Sequence, residues 1–192
     1  WLNADQFSAV PISAFLGGLR FDISALAWLN LPWVAFVLFL PRPTGGGARA
    51  QRLVFLVINA IGLFFACVDL EYYKFSLKRS TADFLEILMA GSDTVNLAPA
   101  FLRDYWYIAL LFIALLWSLW WGYGRLARLD RGEALPLWRS IVWRAVAIVL
   151  IAIGSRGGLQ LMPLQVMAAA SYAPAHFVPV VLNTPFTILN SL

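Results

Sequence analysis

Charged residues are scarce in this chain of 192 residues, since Asp, Glu, Lys and Arg make up 12 % of it and hydrophobic residues 61 %. Water-soluble domains carry about 25 % charged and about 45–50 % apolar residues. This chain has too few polar side chains to cover a globule in water. The mean hydropathy of +0.77 and the nine Trp residues, a type that accumulates at membrane–water interfaces, indicate an integral membrane protein.

Cysteine and histidine are almost missing, with one residue of each. Cys67 lies in an apolar run and has no second cysteine for an internal disulfide, so we expect a buried, unreactive thiol. His176 has no other His, Cys or carboxylate close to it in the sequence, which excludes a metal site or catalytic triad built around it from local residues. We therefore expect no catalytic residue, metal ligand or cofactor site within these residues.

Windows with few or no charges predict four membrane-spanning helices, because a helix needs about 20 apolar residues to cross the hydrocarbon of a bilayer. The predicted spans are residues 23–40, 53–68, 105–124 and 140–155. Residues 1–19 precede them, and we expect these to be the end of an earlier, truncated span with an interfacial turn into Arg20. The predicted fold is an all-α integral membrane domain over residues 1–155.

Lys and Arg are distributed unequally between the connecting segments. Residues 41–52 and 125–144 hold eight of them in 32 positions, whereas residues 1–22, 69–104 and 156–192 hold six in 95. Because basic loops stay on the cytoplasmic side, the first two segments are predicted to be cytoplasmic and the other three to lie outside. The role in topology accounts for the arginines, so no nucleic-acid partner is predicted.

The outer segment 69–104 is both charged and aromatic. Ser80 and Asp83 have the spacing of a capping box, and the apolar residues that follow predict an interfacial amphipathic helix over residues 81–90. Tyr, Lys and Arg at headgroup depth suit a phospholipid phosphate, with generic interfacial anchoring as the alternative. The candidate headgroup ligands are Glu71, Tyr72, Tyr73, Lys74, Lys78 and Arg79, with Arg156 as a further contributor.

Two further charges flank the outer entry to the first predicted span. We expect Arg20, Asp22 or both to pair with outer charges such as Glu71 or Lys78, which would close the outer loop onto the helices. The alternative is that Arg20 and Asp22 are independent interfacial anchors. Residues 156–192 contain no acidic residue and are predicted to be an extracytoplasmic connector that leads into a further domain.

Four blocks of the sequence resemble the membrane portion of the lipoteichoic acid synthase family of phosphoglycerol transferases. They are GLRFDISALAWLNLPW (18–33), DLEYYKFSLKRSTADFLEIL (69–88), RGGLQLMPL (156–164) and VLNTPFTIL (181–189). The resemblance implies five membrane helices, of which this chain would retain four and a remnant. It also implies an extracytoplasmic sulfatase-like domain after Leu192, with a catalytic Thr and a Mn²⁺ or Mg²⁺ ion. None of those catalytic residues matches a position here.

The resemblance therefore implies the membrane domain of an envelope phosphoglycerol or phosphoethanolamine transferase. Such an enzyme takes the headgroup from a phosphatidylglycerol-like donor at the outer face of the bacterial cytoplasmic (inner) membrane. The alternative is a non-catalytic membrane anchor or a subunit of a larger complex with an unidentified protein partner. A transporter is disfavoured because the predicted spans are nearly free of charge.

Overall fold

The computed structural model describes residues 10–39, 45–76, 79–81, 99–100, 102–129, 136–160 and 162–191. Within these residues all regular structure is helical. The α-helices are α1 (Ile12–Leu29), α2 (Leu31–Phe39), α3 (Gly46–Ser76), α4 (Trp106–Leu129), α5 (Leu137–Ser155), α6 (Val178–Val181) and α7 (Thr184–Ser191). Two 3₁₀ helices, Val166–Ser171 and Ala175–Phe177, precede α6. The predicted interfacial helix over residues 81–90 lies, apart from Thr81, outside the described residues.

Four helices are long and apolar enough to cross a membrane: Ile12–Leu29, Gly46–Ser76, Trp106–Arg128 and Leu137–Ser155. The last three contain the second predicted span, the third except for Tyr105, and the fourth. The first predicted span, 23–40, is instead divided between α1 and α2, with a break at Asn30. Pro32 explains the break, because it has no N–H and its ring would clash with the carbonyl four residues earlier in a continuous helix.

The start of α1 corrects the expected turn before Arg20. Gly17 and Gly18 lie inside the helix, and both are buried. A Cβ atom on Gly17 would lie 2.5 Å from Cγ of Tyr172, and one on Gly18 would lie 3.5 Å from the carbonyl oxygen of Val181. The two glycines therefore allow the C-terminal segment to approach the helix closely, a use of glycine that local sequence does not distinguish from a turn.

The long helices differ in how many elements they contact: α1 packs against five other helices, whereas α4 and α5 each pack mainly against one. Helix α4 lies against α3, α5 lies against α1, and α2 and α7 both contact α3. None of the residues of α5 is buried, so nearly all of its surface remains for lipid or another protein. Gly154 is the point of close approach, because a Cβ there would lie 3.5 Å from Cβ of Ala27 on α1.

The main hydrophobic core lies between α1 and the C-terminal segment 162–191. Phe21 is fully buried, and its ring meets the ring of Phe186 edge-on at a centroid distance of 4.9 Å. Val181 and Ala169 are also fully or almost fully buried in this core. Burying a large apolar side chain stabilises by about 1.5–3 kcal/mol. The segment predicted as a connector is thus an integral part of the helical body.

Candidate functional site

A fully buried carboxylate, Asp69, organises the C-terminal end of α3. Its Oδ2 atom lies 2.7 Å from Nη1 of Arg79, and its Oδ1 atom accepts hydrogen bonds from both the backbone N–H and the hydroxyl of Ser80. A buried charge is tolerated only when it is paired and hydrogen-bonded, and Asp69 satisfies both conditions. Sequence reasoning missed its role, although a carboxylate at the end of an apolar run is an uncommon feature.

Arg79 and Ser80 connect this carboxylate to the C-terminal segment. Nε of Arg79 donates to the carbonyl oxygen of Pro179 at 2.8 Å, and the guanidinium lies over the ring of Tyr73 at 5.8 Å. The carbonyl oxygen of Ser80 accepts the hydroxyl of Thr187 at 2.7 Å. Arg79, which we predicted as a phosphate ligand, is therefore engaged in a structural ion pair that holds α3 against residues 179–187.

A second ion pair lies on the last turns of α3. Nζ of Lys74 lies 2.8 Å and 2.9 Å from the two carboxylate oxygens of Glu71, and the hydroxyl of Tyr107 donates to Oε1 of Glu71 at 2.7 Å. Glu71 is buried, whereas the side chain of Lys74 keeps 34 % of its surface exposed. The group therefore joins α3 to α4 and leaves one cation accessible. We name this end of the molecule, with Asp69 and Glu71, the ion-paired end.

Arg20 and Asp22 bind the C-terminal segment rather than Glu71. The guanidinium of Arg20 donates to the carbonyl oxygen of Gly157, to the side chain of Gln160 and to the hydroxyl of Tyr172. Oδ1 of Asp22 accepts a hydrogen bond from Nδ2 of Asn183 at 2.6 Å. Glu71 pairs with Lys74 instead of Arg20, and a pairing of Asp22 with Lys78 stays a prediction because Lys78 lies outside the described residues.

The remaining predicted ligands fall into different surroundings. Tyr73 is buried and Tyr72 is half-buried, both on α3, while Lys78 lies outside the described residues. Arg156 is exposed at the end of α5, where its Nη2 atom donates to the carbonyl oxygen of Gln160 at 3.2 Å. The described candidates thus form separate hydrogen-bonded groups around Asp69, Glu71 and Gln160.

Arg156 borders a shallow groove of about 320 Å³ beside α5. The groove is lined by Val149, Ala152, Ile153, Arg156, Gly158, Leu159 and Gln160. The chain turns sharply after Arg156 because Gly157 and Gly158 have φ angles of +72° and +135°, which other residues rarely adopt. The result is an apolar surface along a helix with a cation at its end.

Metal-ligating side chains do not gather in the described part of the chain, where no group of three or more His, Cys, Asp or Glu could hold an ion. The family resemblance implies a metal only in a domain after Leu192, so it predicts no metal ligand among these residues. No family model matches the chain, and neither does any curated protein or solved structure. The family resemblance therefore rests on the four sequence blocks given above.

Proposed function

We propose that this chain is the membrane domain of an envelope transferase that moves phosphoglycerol, or phosphoethanolamine, from a phospholipid on the outer face of the bacterial inner membrane. Its role is to anchor a catalytic domain following Leu192 and to present the lipid donor. The observation that carries the proposal is the groove beside α5, in which an apolar helix surface ends at Arg156.

The groove is long enough for part of one acyl chain next to a phosphate. Val149 and Arg156 are seven residues apart on one helix, which corresponds to about 10 Å along the axis. The apolar part can contact an acyl chain, and the guanidinium can hold a phosphate by two hydrogen bonds. Arg20 contacts Gly157 and Gln160, so the backbone that forms the rim is held in place from α1.

The packing of the C-terminal segment supports the anchoring role. Asp69 and Arg79 hold this segment to α3, and Phe21 and Phe186 hold it to α1. A domain attached after Leu192 would therefore follow a segment that is fixed against α1 and α3. Holding two reactants in a fixed relation is a large part of what enzymes contribute to rate. A divalent metal would belong to that attached domain.

A non-catalytic anchor or subunit remains the second candidate, because a specific surface favours it. Helix α5 exposes large apolar side chains on more than one face, among them Trp138, Ile141, Trp143 and Leu150. Such a surface can face either lipid or a partner helix. Sequencing the gene beyond the codon of Leu192 discriminates between the two, because the transferase requires a sulfatase-like domain there and the subunit does not.

Headgroup discrimination tests the proposal directly. The full chain is placed in nanodiscs containing either phosphatidylglycerol or phosphatidylserine, two lipids of equal charge, and the retained lipid is quantified. We expect the wild type to retain phosphatidylglycerol preferentially and Arg156→Gln to lose that preference. Arg144→Gln on the same helix removes the same charge away from the groove and is the control. Equal retention of the two lipids by the wild type would contradict the proposal.

A further inference from the structure

The other end of the helices contains two buried N–H donors without an acceptor. Nε1 of Trp33 and Nε of Arg52 are both buried, and neither has a hydrogen-bond partner in the described part of the chain. We name this the arginine-rich end, because Arg49, Arg52, Arg125 and Arg128 all lie there on α3 and α4. A buried donor left without a partner costs about 1–3 kcal/mol, so two of them call for an acceptor.

Both donors belong to one aromatic cluster. The ring of Trp33 packs against Phe55 and Tyr123 at centroid distances of 5.2 Å and 6.5 Å. The guanidinium of Arg52 lies over the rings of Trp120 and Tyr123 at 4.5 Å and 5.9 Å. Tyr123 therefore contacts both Trp33 and Arg52, and α2, α3 and α4 each contribute side chains to the cluster.

The position of Arg52 is fixed, and no carboxylate within the described residues pairs with its charge. Its Nη2 atom donates to the carbonyl oxygen of Trp120 at 2.9 Å, which holds the guanidinium on α4. The ion pairs within the described ranges, Lys74–Glu71 and Arg79–Asp69, lie at the opposite end of α3. Arg52 and Asp69 are 17 residues apart on that helix, or about 25 Å. A neutral carbonyl satisfies one hydrogen bond of Arg52 but not its charge.

We propose that Arg52 and Trp33 bind the phosphate of an anionic phospholipid at the arginine-rich end, between the rings of Trp120 and Tyr123. Phosphate oxygens accept hydrogen bonds from Nε of arginine and from an indole N–H, and they supply a negative charge that no described residue of the cluster provides. The site lies where apolar helices end, which is the depth of lipid phosphates. The inference is independent of the proposed function, whose groove lies beside Arg156 on α5.

Two substitutions and a matched control test the site. The full chain is purified in detergent, phosphatidylglycerol is titrated, and the bound lipid is counted by native mass spectrometry, in an Arg156→Gln background so that the groove does not contribute. We expect Arg52→Gln to weaken binding about tenfold, the effect of losing one charge-assisted hydrogen bond, and Trp33→Phe to weaken it about threefold. Arg49→Gln, which removes an exposed charge one turn away, should leave the affinity unchanged.

Trp33→Phe is the decisive variant because it keeps the ring and removes only the donor. If no acceptor binds there, this substitution deletes an unsatisfied group and leaves lipid affinity unchanged, which overturns the proposal. Equal losses in Arg52→Gln and Arg49→Gln would also overturn it, as general attraction to a basic surface. Inorganic phosphate serves as the second probe: binding of free phosphate with the same dependence on Trp33, without binding of lipid, would overturn the assignment to a phospholipid. Should Arg52→Gln fail to fold, Trp33→Phe alone decides.

Discussion

The charged side chains at the two ends of α3 have different kinds of partner. At the ion-paired end, Asp69 and Glu71 are buried, and each is matched by a cation and by hydroxyl donors from other elements. At the arginine-rich end, Arg52 contacts aromatic rings and a backbone carbonyl oxygen. No carboxylate within the described residues pairs with it. An ion pair formed within the chain links two parts of the fold. A charged side chain without such a partner can instead bind a charged ligand.

Removing the buried carboxylate should give the largest effect. Asp69→Asn removes the counter-charge of Arg79 and keeps only one acceptor oxygen for the donors of Arg79 and Ser80. We expect the free energy of unfolding to fall by about 3 kcal/mol, because breaking one side of a buried pair leaves the other charge uncompensated. Denaturant titration of the detergent-solubilised protein measures it. Asp22→Asn, at an exposed carboxylate, is the control, and an equal loss there would contradict the special role of Asp69.

The contact between α3 and α4 should be intermediate in strength. Tyr107→Phe removes only the hydroxyl that donates to Glu71. A hydrogen bond to a charged group contributes about 1.5–3 kcal/mol, and we expect a loss near the lower limit because Lys74 still pairs with Glu71. The same titration measures the loss, and Tyr105→Phe provides a second tyrosine variant for reference. No change in Tyr107→Phe would show that Glu71 relies on Lys74 alone.

The link to the C-terminal segment involves neutral groups and should contribute less. Thr187→Val keeps the shape of the side chain but removes the hydroxyl that donates to the carbonyl oxygen of Ser80. We expect a loss of about 1 kcal/mol. Limited proteolysis of the segment 162–191 gives an independent readout, since weaker attachment to α3 should expose it. Unchanged stability and unchanged protease resistance would mean that the bond from Arg79 to Pro179 and the core around Phe21 hold the segment without this hydroxyl.

The smallest effect is expected at the arginine-rich end. Arg49 is exposed on the first turn of α3, and Arg49→Gln should change the free energy of unfolding by less than about 0.5 kcal/mol, as for other surface substitutions. The comparison of Arg49→Gln with Asp69→Asn in one titration series therefore measures the difference in stability that a charged side chain contributes at the two ends. A loss in Arg49→Gln close to that of Asp69→Asn would remove the distinction drawn between them.

Local composition was enough to locate α3, α4 and α5, because a long run of apolar residues with few charges is typical of a helix that crosses a membrane. It failed for α1, where Gly17 and Gly18 indicated a turn but in fact allow close packing against Tyr172 and Val181. That packing depends on a segment more than 150 residues away in the chain, and no sequence pattern records it.

The residue types of the candidate site could be predicted from the sequence, but the contacts between these residues could not. The residues 69–79 were recognised as charged and aromatic, and Glu71 and Lys74 lie together as their spacing on a helix allows. The pairing of Asp69 with Arg79 could not be derived, because it requires the chain to return after α3 ends. The donors of Trp33 and Arg52 were missed as well, since an unsatisfied atom is visible only once its neighbours are placed.

The most direct measurement for the whole account is the membrane topology of the two ends. Single cysteines are introduced as Gly46→Cys, at the arginine-rich end, and Ser171→Cys, in the C-terminal segment, both exposed, in a Cys67→Ser background. Intact cells, with the outer membrane permeabilised, are treated with a membrane-impermeant maleimide. We predict labelling of Ser171→Cys and protection of Gly46→Cys until the inner membrane is broken. Labelling of Gly46→Cys in intact cells would contradict the account.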